Sequence, residues 1–388
     1  MTLSLVRMRF SAAAAKIETT PGTDAIAGTP ASTDWIAGDF QVDFNPQVID
    51  NPELTGTLDK APSIVGGLRP QIKMRVPLRG VGTAGTAPDF GKLLRCCTMV
   101  ETTTAAAVGA PTAATAGTTT TITMGAIFGT TAQQYRGMPL LLSGDRAVTT
   151  GVADYTAAKV ATVGETLSPA ASVSTLCQIP VNVLYAPISD ETQYKTCTIY
   201  FYADGLQWTF TGCQGTWSLE LTSGGMGFLN FEMQGQMGTH TTAAMPSGWN
   251  TAIRQTPPRW VAGRAQLNGN LARCRRLMLE AGIQTVLPDN PEAAQGYDPA
   301  VPILRDTKGT IDPLMDTTSQ VALYNAFLAG AAMRLMAIVG STAGNRFLVI
   351  APAAKAVGFR PSDRDNLGQN EVSFQCDGAD SDLFICSF

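Results

Sequence analysis

From Cys197 to Gly235 the chain reads as strand almost without a break, rich in Tyr, Phe, Trp, Thr and Ile, and in its later part apolar and polar residues alternate. Trp217, Leu219 and Leu221 interleave with Ser218, Glu220 and Thr222, and Leu229, Phe231 and Met233 interleave with Asn230, Glu232 and Gln234. A period of two sends each set to one side of a strand, so one face is bound for a core and the other is polar. Asp204-Gly205 and Ser223-Gly224-Gly225 supply the turns, since tight hairpins need residues that tolerate positive φ. Earlier, Val42 and Phe44 alternate with Gln41, Asp43 and Asn45, while Ile72, Met74, Val76 and Leu78 alternate with Lys73, Arg75 and Arg79. These two runs are expected to pair. The loop between them is about twice the usual hairpin length, and Leu54, Leu58, Ile64 and Val65 make it too apolar for simple disorder.

Two short helices interrupt the β pattern. Pro88 and Asp89 suit a first helical turn, and Phe90, Leu93, Leu94 and Cys97 follow at helical spacing. The second spans 317–331, with Thr317 or Thr318 as cap. Its apolar stripe is Val321, Tyr324, Leu328 and Ala331, widened by Leu323 and Phe327. At the front, MTLSLVRMRF reads as a strand, and the turn formers after it make residues 1–38 an arm. A Thr/Ala-rich linker then leads into further strand-like pieces with their own turns. The division is therefore a discontinuous core, 1–102 and 188–388, around an inserted small β domain, 103–187. The closing runs RFLVIAPAA, NEVSFQCDG and DSDLFICSF are strand-like. No repeat with a period of 20–50 residues is visible. The fold class is mainly β, a sandwich or barrel core with two flanking helices.

Composition sharpens this. Only 15% of the 388 residues are charged, below the roughly 25% of ordinary soluble domains. Such a surface meets protein as much as water. A net charge of −4 argues against a broad basic face for nucleic acid. No export or membrane segment stands out: Arg7 and Arg9 break the N-terminal apolar stretch, and the apolar run 326–340 is short and contains Arg334. The eight cysteines show no CxxC spacing and are expected to be reduced and mostly buried.

Catalytic signals are lacking. The single histidine, His240, has no recognisable acid or nucleophile partner and reads as a loop residue. Residues 363–366 (DRDN) have acidic spacing but lack the rest of a calcium loop. Cys96-Cys97 is better explained by packing than by a strained vicinal disulfide. The basic side chains Lys73, Arg75 and Arg79 could face phosphate, a neighbour's acids or water. No enzyme activity, cofactor or metal is expected.

Several motifs in order resemble the tail tube proteins of long-tailed bacteriophages: KIETTPGTDA, GTLDKAPSIVGG, IKMRVPLRG and PDFGKLLRCC in the first part. The meander YFYADGLQWTFTGCQGTWSLELTSGGMGFLNFEMQGQM and the closing DGADSDLFICSF complete the match. The resemblance covers most of the core outside the insert. It implies a structural virion protein whose hexameric rings stack into a hollow tube, with the inner sheets closing into one barrel around a DNA passage. Loop 50–67 would then be the ring-stacking element, through Leu54, Leu58, Asp59, Lys60 and Ile64. Asp43, Glu220, Asn230, Glu232 and Gln234 would face a lumen of acidic and neutral polar groups, joined by Lys73 and Arg75, whose charge cross-strand acids such as Asp43 would have to offset. The implied partners are further copies of the chain and the tail tip, tape-measure and tail terminator proteins. DNA would pass without specific binding, no membrane would be involved, and assembly would take place in the bacterial host cytoplasm. A chain of this size with an external insert leaves little room for a sheath, which favours a non-contractile tail. The alternatives are another β-rich virion component, such as a capsid decoration protein, or a secreted β-sandwich binding module.

Overall fold

Nearly every alternating run becomes a strand of one antiparallel system in the computed structural model, which describes residues 5–249 and 255–388. The first part of the core comprises β1 (Ser11–Ile17), β2 (Asp39–Asp43), β3 (Pro46–Ile49), β4 (Ile64–Leu68) and β5 (Gln71–Pro77). Helix α1 (Gly91–Arg95) and β6 (Met99–Thr104) follow. After the insert come β7 (Asn182–Pro187), β8 (Cys197–Ala203), β9 (Leu206–Thr222) and β10 (Phe228–Thr242). The last part has β11 (Cys274–Glu280), β12 (Ile283–Val286), β13 (Val301–Arg305), β14 (Lys308–Pro313) and helix α2 (Gln320–Leu328). It closes with β15 (Ala332–Val339), β16 (Phe347–Arg364), β17 (Leu367–Cys376) and β18 (Phe384–Ser387).

Two layers sandwich the main core. The inner layer runs β2-β5-β10-β9-β11-β14-β17-β16, every contact antiparallel. The outer layer is β6-β7-β18-β16-β15, to which β16 contributes its first half. Met74, Phe231, Leu219, Leu277 and Phe374 from the inner layer meet Val183, Phe347, Val349 and Ile385 from the outer, all buried. A buried aromatic or aliphatic side chain of this size contributes about 1.5–3 kcal/mol, so this alternation is a main source of stability. The turns are built as their residues suggest: Asp204 and Gly205 both have positive φ, and so do Asp365 and Asn366, the pairing that matches a two-residue hairpin to strand twist. The DRDN segment is thus the β16–β17 turn.

Helix α1 matches expectation, with Phe90, Leu93, Leu94 and Cys97 in the core. Helix α2 exists but is rotated from the expected stripe. Leu323, Ala326 and Phe327 face the core, while Val321, Tyr324 and Leu328 are exposed. Phe359 of β16 sets this, stacking on Phe327 with ring centroids 5.6 Å apart.

Three boundaries move. The first strand is Ser11–Ile17, whereas Leu5–Phe10 carry no strand and residues 1–4 lie outside the described residues. Its alanines Ala13 and Ala15 are buried beside β8, so the segment called an arm enters the core. The insert's seven-stranded sheet covers Val108–Ile179, and the strand at 182–187, assigned to the insert, belongs to the outer layer instead. Nor is the insert separate in packing. Ile122, Leu140, Tyr155 and Cys177 share a core with Met336, Leu348, Ile350 and Phe384, the far side of the outer layer. The insert therefore lies on the opposite side of the core from the inner layer's polar face.

The polar face and the projecting loop

The side chains left over when the inner layer buries its apolar set form a continuous polar surface. One row crosses all eight strands: Asp39, Arg75, Asn230, Ser218, Glu280, Lys308, Gln375 and Lys355. Cross-strand neighbours pair by charge. Lys73 lies opposite Glu232 at 3.9 Å, Arg75 is 3.8 Å from Glu220, and Arg276 donates to Glu220 at 3.1 Å. Lys308 is bound to Asp306, and Lys355 to Asp377. Arg75 also sits over the Phe228 ring, 3.9 Å from its centroid. The face is therefore mixed in charge, with acids beside most of its bases.

The seven residues expected to face a lumen, Asp43, Lys73, Arg75, Glu220, Asn230, Glu232 and Gln234, all lie on this surface with exposed or half-buried side chains. Asp43 stands opposite Gln71 and offsets no base. Gln234 belongs to the same row set but is half-covered, because β12–β13 folds over this end and brings Thr285 to its side-chain oxygen. Arg79, grouped with Lys73 and Arg75 by alternation, leaves the face altogether. It is buried and donates to Asp89 at 2.6 Å. Strand β5 ends at Pro77, so alternation stops applying two residues earlier. Asp39, Arg276, Glu280, Lys308 and Lys355 are the residues on the face that sequence reasoning missed. Alternation in CRRLMLE and TKGTIDP carried the signal, but nothing local says that these strands adjoin β9.

Two of the lysine-bound carboxylates have displaced protonation equilibria. Hydrogen bonding to Lys308 holds Asp306 below the usual carboxylate range, and Lys355 does the same for Asp377.

The hairpin β3–β4 carries the second surface. Its loop stands clear of the core, with Leu54 and Leu58 at 99% and 107% exposure and Ile64 exposed at its base. The loop orders itself: the Thr55 hydroxyl donates to the Asp59 carbonyl at 2.7 Å, and Lys60 pairs with Asp50 at 2.7 Å.

The other chemical candidates resolve as structure. His240 is on strand β10, not in a loop, and lies across from Trp208 with ring centroids 4.6 Å apart. The cysteines are free and all buried except half-buried Cys274. Burial pushes the Cys97, Cys213 and Cys386 thiols far up. Cys376 and Cys274 rise to about 12 and Cys177 to about 11, each mainly through burial. Among the described residues no cluster of His, Cys, Asp and Glu has metal-holding geometry. No helix among them is long and apolar enough to cross a membrane.

Residues 11–376 match the family model described as phage tail tube protein. Comparison with curated proteins finds no match.

Proposed function

The chain belongs to the phage tail tube protein family, and from that premise we propose that it closes into rings that stack as the hollow tube through which genomic DNA leaves the virion. The inner layer carries this reading: eight strands wide, polar on its outward side, and with edges at β2 and at the second half of β16 that pair with no strand among the described residues. An open, flat edge invites uncontrolled pairing, and closure against further copies removes it. Contacts of this head-to-tail kind close a ring around the axis, while ring-on-ring contacts stay open and elongate.

The polar face then lines the lumen. Its cations mostly have acids beside them, which leaves few unpaired bases to displace the counterions of passing phosphates. Loop 50–67, with Leu54, Leu58, Asp59, Lys60 and Ile64, is the stacking element, because Leu54 and Leu58 stand fully exposed and Ile64 is exposed at its base. The insert, packed behind the outer layer, would sit on the tube exterior. The resemblance implies homohexameric rings, and tail tip, tape-measure and terminator proteins as partners. It likewise implies synthesis in the bacterial cytoplasm. The long projecting loop and the two free edges favour this reading over a capsid decoration protein, which caps a shell and needs neither.

Negative-stain electron microscopy of the purified protein at high concentration, with and without purified tail tips as nuclei, tests the reading. Hollow tubes of stacked rings are expected. Compact trimers or monomers that coat capsids and never elongate would sink it.

A further inference from the structure

The inner layer contains the same arrangement twice. In the first part, two strands flank a hairpin (β2, β3–β4, β5), a helix follows, and the unit's sheet order is β2-β5-β10-β9. In the second part, β11, β12–β13 and β14 lead to a helix, and the sheet order is β11-β14-β17-β16. The hairpin boundaries correspond at one constant offset: 46, 49, 64 and 68 in the first become 283, 286, 301 and 305 in the second, each 237 residues later. The strand ends facing the hairpins keep that offset, Asp43 to Glu280 and Gln71 to Lys308, and both pairs are cross-strand partners. A trace survives in sequence. Asp-Asn-Pro-Glu occurs at 50–53 and again at 289–292. In each copy the Glu amide donates to the Asn side-chain oxygen, at 3.1 Å for Glu53 and 2.9 Å for Glu292.

The two units meet inside the chain along β9–β11. That junction is a template for a contact between chains, because the counterpart of β9 is the second half of β16 and the counterpart of β11 is β2. These are the two free edges. We propose that the chain is a tandem duplication of one tube unit, and that three copies, not six, close the ring by pairing the β16 edge of each antiparallel with the β2 edge of the next. This rests on the tube reading above.

The register follows. The row Lys73–Glu232–Thr216 corresponds to Thr310–Ser373–Gly358, which makes Arg360 the counterpart of Ser218. Ser218 faces Glu280 and Thr222 faces Arg276 at the internal junction. Between chains, Arg360 therefore faces Asp43 and Arg364 faces Asp39, opposite charges at both places. Arg360 and Asp43 are exposed and make no ion pair among the described residues of their own chain, whereas Arg364 already pairs with Asp312 at 3.0 Å and would share its charge with Asp39. Beside the β16 edge, Val321, Tyr324, Leu328 and Val357 form an exposed apolar cluster that a neighbour would cover.

The number three follows from spacing. With strands about 4.8 Å apart, three chains give a barrel about 37 Å across at the backbone, or about 48 Å at a 40° tilt. Side chains on the two walls take about 10 Å, which leaves about 27–38 Å for a duplex about 20 Å wide and its water. Two chains leave about 14–22 Å, and six leave more than 60 Å, room for several duplexes abreast.

The test is a Gln41→Cys/Ser362→Cys variant, assembled into tubes, oxidised and run on non-reducing gels. These positions correspond to Met278 and Glu220, which face each other at the internal junction. A ladder that ends at three chains, absent from either single variant, is expected. A ladder ending at six, or tubes without any cross-link, would overturn the proposal while leaving the tube reading intact. Averaged cross-sections of unmodified tubes give a second readout that needs no variant. Three-fold symmetry supports the proposal and six-fold symmetry overturns it, whereas the absence of any tube counts against the tube reading itself.

Discussion

Glu220 of β9 accepts from Arg276 of β11 at 3.1 Å, an ion pair spanning the seam between the two halves of the inner layer. Glu220 also lies 3.8 Å from Arg75, so a single carboxylate compensates two guanidinium groups. Both arginines are about half exposed, and pairs of that kind contribute no more than about 1 kcal/mol. Glu220→Gln is therefore expected to change stability little and to alter the face a good deal. Two uncompensated cations would grip phosphate at low ionic strength. Co-sedimentation of variant tubes with duplex DNA is expected at about 0.02 M salt and lost near 0.15 M, with wild-type tubes showing little at either. Equal retention by both proteins would remove the lumen assignment.

Leu54 and Leu58 are fully exposed in their own chain. Replacing both with serine is expected to leave the unfolding free energy of the monomer within about 0.5 kcal/mol of wild type. Tube length in electron micrographs should collapse to single rings or short stacks. Long tubes in the double variant would mean that stacking lies elsewhere.

Glu18 is a buried acid with its hydrogen bonds filled. Its carboxylate accepts from the Gly22 and Gly212 amides, both at 2.8 Å, and from the Thr196 and Thr198 hydroxyls at 2.6 and 2.8 Å. It ties the end of β1 to β8 and β9. Glu18→Ala leaves those donors without an acceptor, a cost of about 3 kcal/mol. Denaturant unfolding of the monomer should show a loss of that order, and a loss under about 1 kcal/mol would refute this account of the site.

Asp306 shows how pH should act. Lys308 depresses its folded-state equilibrium, so the pair favours the folded state above the unfolded carboxylate range near pH 4 and that contribution is lost as pH falls through the lower folded value. The stability difference between wild type and Lys308→Met should be small at pH 7 and shrink toward zero near pH 2–3. A difference that grew on acidification would contradict the pairing.

Thiol chemistry offers an independent check on burial. At pH 8, alkylation of the native protein is expected to be at least about 100-fold slower than that of a free thiol. Unfolding should expose all eight cysteines at once. Rapid loss of one thiol in the native state would single out Cys274, the half-buried one.

Much of this molecule was already legible along the chain. Alternation assigned Trp217, Leu219, Phe231 and Met233 to the core and Glu220, Asn230 and Glu232 to a polar surface, because a strand's two faces follow directly from its period of two. Turn chemistry placed the hairpins at Asp204-Gly205 and after Thr222, and helical spacing found α1, whose apolar residues are all covered. Motif order pointed to the family that residues 11–376 match. What depended on distant partners could be settled only by the tertiary structure. Arg79 is buried because Asp89 waits beyond a strand end, and α2 turns Leu323, Ala326 and Phe327 to the core, leaving Tyr324 exposed in an edge contact with Phe359. The insert shares a core with strands from the far end of the chain. The second half of the polar face, and with it the duplication, emerges only once β11 lies beside β9. Local patterning specifies which way a side chain points. Which strand becomes its neighbour depends on contacts hundreds of residues apart, and the two copies of the unit have diverged until little beyond Asp-Asn-Pro-Glu is still shared in sequence.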